Sequence, residues 1–176
     1  MVNKEIVVLP ETDQVWLWLT DVSDPEIPVI SVVDLGIVRN VSLRMTAAGT
    51  ACTVVITPTY SGCPAMKVIA QTITETLQAH GIAHVEIETQ LSPAWTTDWM
   101  SEYGKSQLSG YGIAPPAQQV IDISGISRKH RLQAEVPCPR CHSMNTVCLS
   151  EFGSTSCKSL YQCKDCLEPF DYFKAH

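Results

Sequence analysis

Four cysteines in the last third of the chain, Cys138, Cys141, Cys163 and Cys166, form two Cys-x-x-Cys knuckles. The first reads Cys138-Pro139-Arg140-Cys141 and the second Cys163-Lys164-Asp165-Cys166, with 21 residues between them. That is one residue beyond the usual spacing of a zinc ribbon. A tetrahedral metal needs four soft ligands held close together, and two tight turns with two thiolates each supply them using little chain. Zinc is the expected ion, with iron in a rubredoxin-like site as the alternative, since four thiolates accept either. A site closed by four protein ligands has no open position for substrate. Its role is then structural, replacing a core that residues 128–176 are too few to build alone. Two redox dithiols are the competing reading, but neither knuckle stands in a strand-to-helix context that would support one.

The rest of the composition limits the functional classes. The chain is 45% apolar and 17% charged, which suits a globular fold of one domain plus a small module. No apolar run approaches the roughly 18 residues of a membrane span, and the first residues lack a signal-peptide layout. A cytoplasmic location without membrane partners is expected, with cysteines as thiols or metal ligands. Residues 1–127 carry 5 Lys/Arg against 13 Asp/Glu, and residues 128–176 carry 7 against 5. The basic excess of the second part is offset by a divalent ion on four thiolates, which has a net charge of about −2. Only Arg128-Lys129-His130-Arg131 remains as a short basic cluster, so nucleic acid is not an expected partner.

The periodicity predicts an α+β fold. Thr12 to Val22 reads as a helix with Val15, Trp16, Leu19 and Val22 on one face, ended by Asp24-Pro25-Glu26-Ile27-Pro28. Residues 36–45 alternate as a strand, with Ile37, Val41, Leu43 and Met45 inward and Arg39 as an exception on that face. Thr46-Ala47-Ala48-Gly49 suits a hairpin connection to a second strand over 51–57, in which Cys52 faces the apolar side. After Gly62-Cys63-Pro64, a helix runs to His80 with Met66, Ile69, Ile73 and Leu77 as its buried stripe. Pro64 suits the first helical position and Gly81 the C-terminal cap. A third strand follows over 84–91, giving the order α-β-β-α-β, a small sheet with helices on one face. An aromatic-rich extension includes a short helix from about Thr97 to Leu108. It completes a domain over 1–112, a linker spans 113–127, and the ribbon takes 128–176.

Outside the ribbon, Cys63 is the residue with chemical potential. At the N-cap of a helix, after a glycine that leaves backbone room, a thiol is drawn toward the thiolate, and Lys67 one turn on adds to the effect. It reads as a reactive thiolate, a soft-metal ligand, or a residue that merely caps the helix. Asp24, Glu26 and Asp34 are carboxylates that could support it, although Asp24 alone reads as a turn residue. Cys148, Cys157 and Cys52 read as small packing residues. The histidines His80, His84, His130, His142 and His176 are scattered, and no nucleophile–base set or phosphate-cradling loop is present.

Three motifs occur in order: Asp24-Pro25-Glu26-Ile27-Pro28, Val33-Asp34-Leu35-Gly36-Ile37-Val38, then Thr57 with Gly62-Cys63-Pro64-Ala65. Together they resemble the small α+β domain of cytosolic iron–sulfur assembly factors and their bacterial counterparts. The resemblance implies that Cys63 is the functional thiol. Further matches are Trp95-Thr96-Thr97-Asp98-Trp99-Met100, Tyr111-Gly112-Ile113-Ala114-Pro115-Pro116, Phe152-Gly153-Ser154-Thr155 before Cys157-Lys158, and Glu168-Pro169-Phe170-Asp171-Tyr172-Phe173-Lys174. With these the whole chain is similar to the D subunit family of the bacterial phenylacetyl-CoA 1,2-epoxidase system, which acts in aerobic phenylacetate degradation. That similarity implies an accessory maturation protein rather than a catalyst. It would assist delivery of iron or a transient iron–sulfur cluster to the system's reductase subunit, with the ribbon docking the partner. One cysteine cannot hold a cluster, so a second protomer in a homodimer, or the client, would supply further ligands. A structural subunit of the oxygenase assembly without metal delivery is the alternative. Direct catalysis by Cys63 lacks a base and an oxyanion group.

Overall fold

The computed structural model describes residues 10–47, 49–116 and 136–175. The chain divides into two compact units, the first reaching Trp95 and including Trp99–Ser101, the second containing Thr96–Asp98 and everything from Glu102 onward. The basic cluster at 128–131 and most of the expected linker lie outside the described residues.

In the first unit the elements are α1 (Thr12–Leu19), β1 (Val38–Thr46), β2 (Gly49–Ile56), α2 (Met66–Ala79) and β3 (His84–Thr89). This is the expected α-β-β-α-β order. The sheet runs β1-β2-β3, antiparallel between β1 and β2 and parallel between β2 and β3. A parallel pair needs a crossover, and α2 provides it. Val15 and Leu19 of α1, Val54 and Ile56 of β2, and Ile69, Ile73 and Leu77 of α2 fill the core. Helix α1 stops at Leu19, and Val22 reaches the core from a turn in which its N–H donates to the Leu19 carbonyl. Gly81 has φ +87° and donates its N–H to the Gln78 carbonyl, so it closes α2 as its sequence position suggests.

Arg39 breaks the alternation of β1 because the strand carries a β-bulge there. Val38 faces Ile56 and Asn40 faces Val55, leaving Arg39 as the extra residue. Its guanidinium lies 3.6 Å from the centre of the Trp99 ring, and partial burial draws its pKa below the usual arginine value. Met45, expected inward, is exposed near the end of β1, where it is paired with Thr50 of β2 beside the hairpin.

The expected helix over 97–108 is two pieces, a 3-10 turn at Thr97–Trp99 and α3 (Glu102–Tyr111). Between them Ser101 is taken by other bonds. Its N–H donates to the Asp34 carbonyl at 2.9 Å and its hydroxyl to Asp34 Oδ1 at 2.6 Å. Trp95 donates its indole N–H to the Leu35 carbonyl at 3.0 Å. Gly36 follows directly after Asp34 and Leu35 with φ +71°, and a Cβ there would sit 2.5 Å from the Trp99 carbonyl oxygen. Both the conformation and the close backbone approach require glycine at this point.

The second unit holds α3, β4 (Ile113–Ala114), β5 (Thr146–Ser150), β6 (Lys158–Cys163) and β7 (Pro169–Phe173). Its sheet runs β4-β7-β6-β5. Ile113 and Ala114, expected to open a linker, pair with Asp171 and Tyr172 as a parallel edge strand. Two buried apolar residues beside the ribbon core are worth more as strand than as spacer.

Replacing Gly36 with alanine should strain the backbone and push against Trp99. We expect a loss of roughly 2 kcal/mol or more, read from the urea midpoint of the first unit's unfolding. A midpoint unchanged from the parent would contradict the close approach.

Candidate metal centre and thiol site

The second ribbon knuckle grows from a strand, and the first lies in irregular chain ahead of β5. Cys138 follows buried Val136, and Cys163 is the last residue of β6. Both lie in a cluster with Ala114, Tyr161, Phe170 and Tyr172. Cys141 and Cys166 lie outward and are exposed. The four Sγ atoms lie within 4.8 Å of one another. Across the knuckles, Cys138 Sγ stands 3.7 Å from Cys166 Sγ and Cys141 Sγ 3.5 Å from Cys163 Sγ. Four sulfurs about 2.3 Å from a common ion would stand about 3.8 Å apart at the corners of a tetrahedron. The spacing therefore fits a four-thiolate metal.

Local bonds hold the knuckles in that geometry. In the first, Cys138 N–H donates to the Ser143 carbonyl and His142 N–H to the Cys138 carbonyl. In the second, Cys166 N–H points to Cys163 Sγ at 3.5 Å and Cys163 N–H donates to the Glu168 carbonyl. Each turn leaves through a residue of positive φ, His142 at 60° and Leu167 at 66°. Asp165 ties one knuckle to the other, accepting bonds from the Ser143 hydroxyl and from Asn145 Nδ2, the latter at 2.8 Å. Those bonds hold its carboxyl below the usual aspartate value. Without an ion the thiols titrate apart. Backbone N–H groups of Cys166 and Asp165 draw Cys163 down to about 7. Cys141, despite the Ser143 N–H that favours its thiolate, is pushed up to about 12 by the neighbouring Cys163 and Cys166. Like charges this close cannot all ionise without a cation. His142, which follows the first knuckle in sequence, is exposed.

Cys63 stands elsewhere. It is half-buried, on the connection between β2 and α2, and its N–H donates to the Tyr60 carbonyl at 3.1 Å. The helix begins later than the sequence suggests. Ala65 is the N-cap and Met66 the first helical residue, so Cys63 lies two residues before the cap and Pro64 in the turn. The Met66 N–H still reaches the Cys63 carbonyl at 3.4 Å, which is a tight turn rather than a helical bond.

Two of the carboxylates expected to support it have structural partners. Asp24 is buried and its Oδ1 accepts the N–H groups of Glu26 and Ile27 at 2.8 and 2.9 Å, so it shapes the turn after α1. Asp34 accepts the hydroxyls of Ser31 and Ser101. Glu26 is half-buried. Among the described residues, the four ribbon cysteines are the only group of three or more potential metal ligands that converges; Cys63, Asp24, Glu26 and Asp34 do not form one. Cys52 is buried on β2, and burial pushes its thiol up to about 11, which suits packing. Cys157 is buried and Cys148 packs against the ribbon cluster.

Two features of the structure could not be read from residue spacing. The Asp165 tie joins residues 20 and 22 positions apart through side chains that read as ordinary turn residues. Thr57, six residues before Cys63 on the same connection, buries its hydroxyl with no hydrogen-bond partner among the described residues. Thr57 stands in one of the family motifs, but the burial of its hydroxyl shows only in the fold.

Two family models match separate stretches of the chain. A model of the iron–sulfur cluster assembly protein family matches residues 12–88, and one of the PaaD zinc β-ribbon domain matches residues 124–174. A protein of Escherichia coli (strain K12), provisionally named as the D subunit of 1,2-phenylacetyl-CoA epoxidase, is 47% identical over 165 residues, covering 94% of this chain and 93% of its own. The chain belongs to the phenylacetyl-CoA epoxidase D subunit family. Unlike that relative, the Fe-S protein maturation auxiliary factor SufT of Staphylococcus aureus (strain USA300) matches in part. It is 38% identical over 88 residues, covering 49% of this chain and 96% of its own. A crystal structure of a domain of unknown function, DUF59, from Bacillus anthracis is 24% identical, covers 55% of this chain and 89% of its own, and has a TM-score of 0.49. The D-subunit family match spans both units, whereas the SufT match is about half as long. No helix among the described residues is long and apolar enough to cross a membrane.

Substituting Asp165 with alanine should loosen the knuckles without removing a ligand. We expect metal affinity to fall about tenfold or more in a chelator competition. An affinity equal to the parent's would show that the cage needs no such tie.

Proposed function

We propose that this protein is a non-catalytic accessory factor of the phenylacetyl-CoA epoxidase system in phenylacetate degradation. It assists delivery of iron or an iron–sulfur cluster to the reductase subunit, acting through Cys63, and zinc is the structural ion of its ribbon. The observation that carries this reading is the family match across both units, which joins an assembly-type domain to the D-subunit ribbon. The local chemistry is compatible with it. Cys63 is a half-buried thiol outside the ribbon cage, between exposed Gly62 and Pro64. A thiol of that kind reaches a partner more readily than the buried Cys52.

A cluster usually takes four protein ligands, so Cys63 works with ligands from a client or a second protomer. Holding a cargo weakly, through few ligands, also favours release. The second reading is a structural subunit of the oxygenase assembly. It is favoured by the internal hydrogen bonds of Asp24 and Asp34, and by Cys63 belonging to no group of three or more converging metal ligands among the described residues.

The test is to produce the reductase alone, with this protein, and with its Cys63→Ser variant, and to measure iron and labile sulfide per reductase chain. Delivery predicts high occupancy only with the unsubstituted protein. Equal occupancy in all three would overturn it. Undiminished co-purification of Cys63→Ser with the hydroxylase would then favour the structural subunit.

A further inference from the structure

The ribbon cage is uneven toward solvent. Cys138 and Cys163, the first cysteine of each knuckle, are 0% exposed in the apolar cluster. Cys141 and Cys166, the second of each, are exposed. Metal binding makes all four thiolates, so thiolate character does not distinguish them. Oxidation follows thiolate character and exposure together, and here exposure alone separates the two pairs. Two contacts cross between the knuckles from an exposed sulfur to a buried one, Cys141 to Cys163 at 3.5 Å and Cys166 to Cys138 at 3.7 Å, and the first is the closer.

We propose that Cys141 is an oxidation site at which a peroxide opens the cage, with Cys163 as the thiolate that completes the reaction. This rests on the four-thiolate metal reading and is independent of cluster delivery. The Cys141 thiolate attacks one peroxide oxygen; the O–O bond breaks, hydroxide leaves and Cys141 becomes a sulfenic acid. The Cys163 thiolate attacks that sulfur, an S–S bond forms and a second hydroxide leaves. Two electrons pass from two sulfurs to the peroxide, and two solvent protons convert the hydroxides to water. Cys138 and Cys166 remain as two thiolates, too few to hold the divalent ion, which leaves. The disulfide joins the knuckles rather than closing either one. A thiol reductant and metal reverse the change.

The sequence makes the linkage easy to read. Trypsin cuts after Arg140 and after Lys164, inside both knuckles. Cys138 then lies in peptide 132–140, Cys141 in 141–158, Cys163 in 159–164 and Cys166 in 165–174. The experiment treats the zinc-loaded full chain with graded hydrogen peroxide. Released metal is followed with a chromogenic chelator, and disulfides are mapped without reduction. We expect zinc to leave in step with a link between 141–158 and 159–164, in the parent and equally in a Cys148→Ser/Cys157→Ser variant, which leaves Cys141 as the one cysteine of its peptide. In Cys141→Ser, release should slow on the order of tenfold. If that variant fails to hold metal, the parent's linkage map still decides. A first disulfide within a knuckle, release without a disulfide, or zinc retained when Cys63 is fully oxidised would each overturn the proposal. A chain that takes up no divalent metal before peroxide is added overturns the cage reading itself.

Discussion

Four sulfur atoms within 4.8 Å of one another are stable as thiolates only around a cation. The second unit is organised on that condition. Its core cluster combines Ala114, Val136, Tyr161, Phe170 and Tyr172 with two of the ligands themselves, Cys138 and Cys163. The metal ligands are thus also core residues. Binding an ion and burying the sheet are then the same event, which is how a unit of this size compensates for a modest apolar interior. Asp165 extends the arrangement sideways, tying one knuckle to Ser143 and Asn145 beside the other.

The first unit depends on a different constraint. Its sheet and helices bury an ordinary core, but the turn segment from Asp24 to Gly36 carries several of the motifs that mark the family. That segment is fixed by hydrogen bonds rather than by periodic structure. Asp24 shapes one end through two backbone N–H groups, and Asp34 holds Ser101 at the other. Gly36 lets the Trp99 backbone approach where a side chain would not fit. Carboxylates that look chemical in the sequence are committed to architecture here.

Where sequence and structure differ, the reason is usually a bond across a distance in the chain. The hairpin at Thr46–Gly49, the α2 stripe and the Gly81 cap were legible because spacing and glycine chemistry are local. The bulge at Arg39 was visible only as an anomaly. It became intelligible once the strand register and the Trp99 ring were known. The break between Thr97–Trp99 and α3 could not be read, because helix propensity there loses to Asp34, 67 residues away from Ser101. Ile113 and Ala114 resemble a linker beside Pro115 and Pro116, yet pairing with β7 buries both. The burial of the Thr57 hydroxyl was likewise invisible, since burial is a property of the fold.

The sequence by itself determined the ligand set, the element order and the family, since each depends on residue type and spacing along the chain. Tertiary structure decided which of those residues are available for chemistry. It exposed Cys141 and Cys166 while burying their knuckle partners. It committed Asp24 and Asp34 to hydrogen bonds, and it set Cys63 two residues ahead of the helix cap. Availability depends on solvent and partners, and those are assigned by packing between residues far apart in sequence.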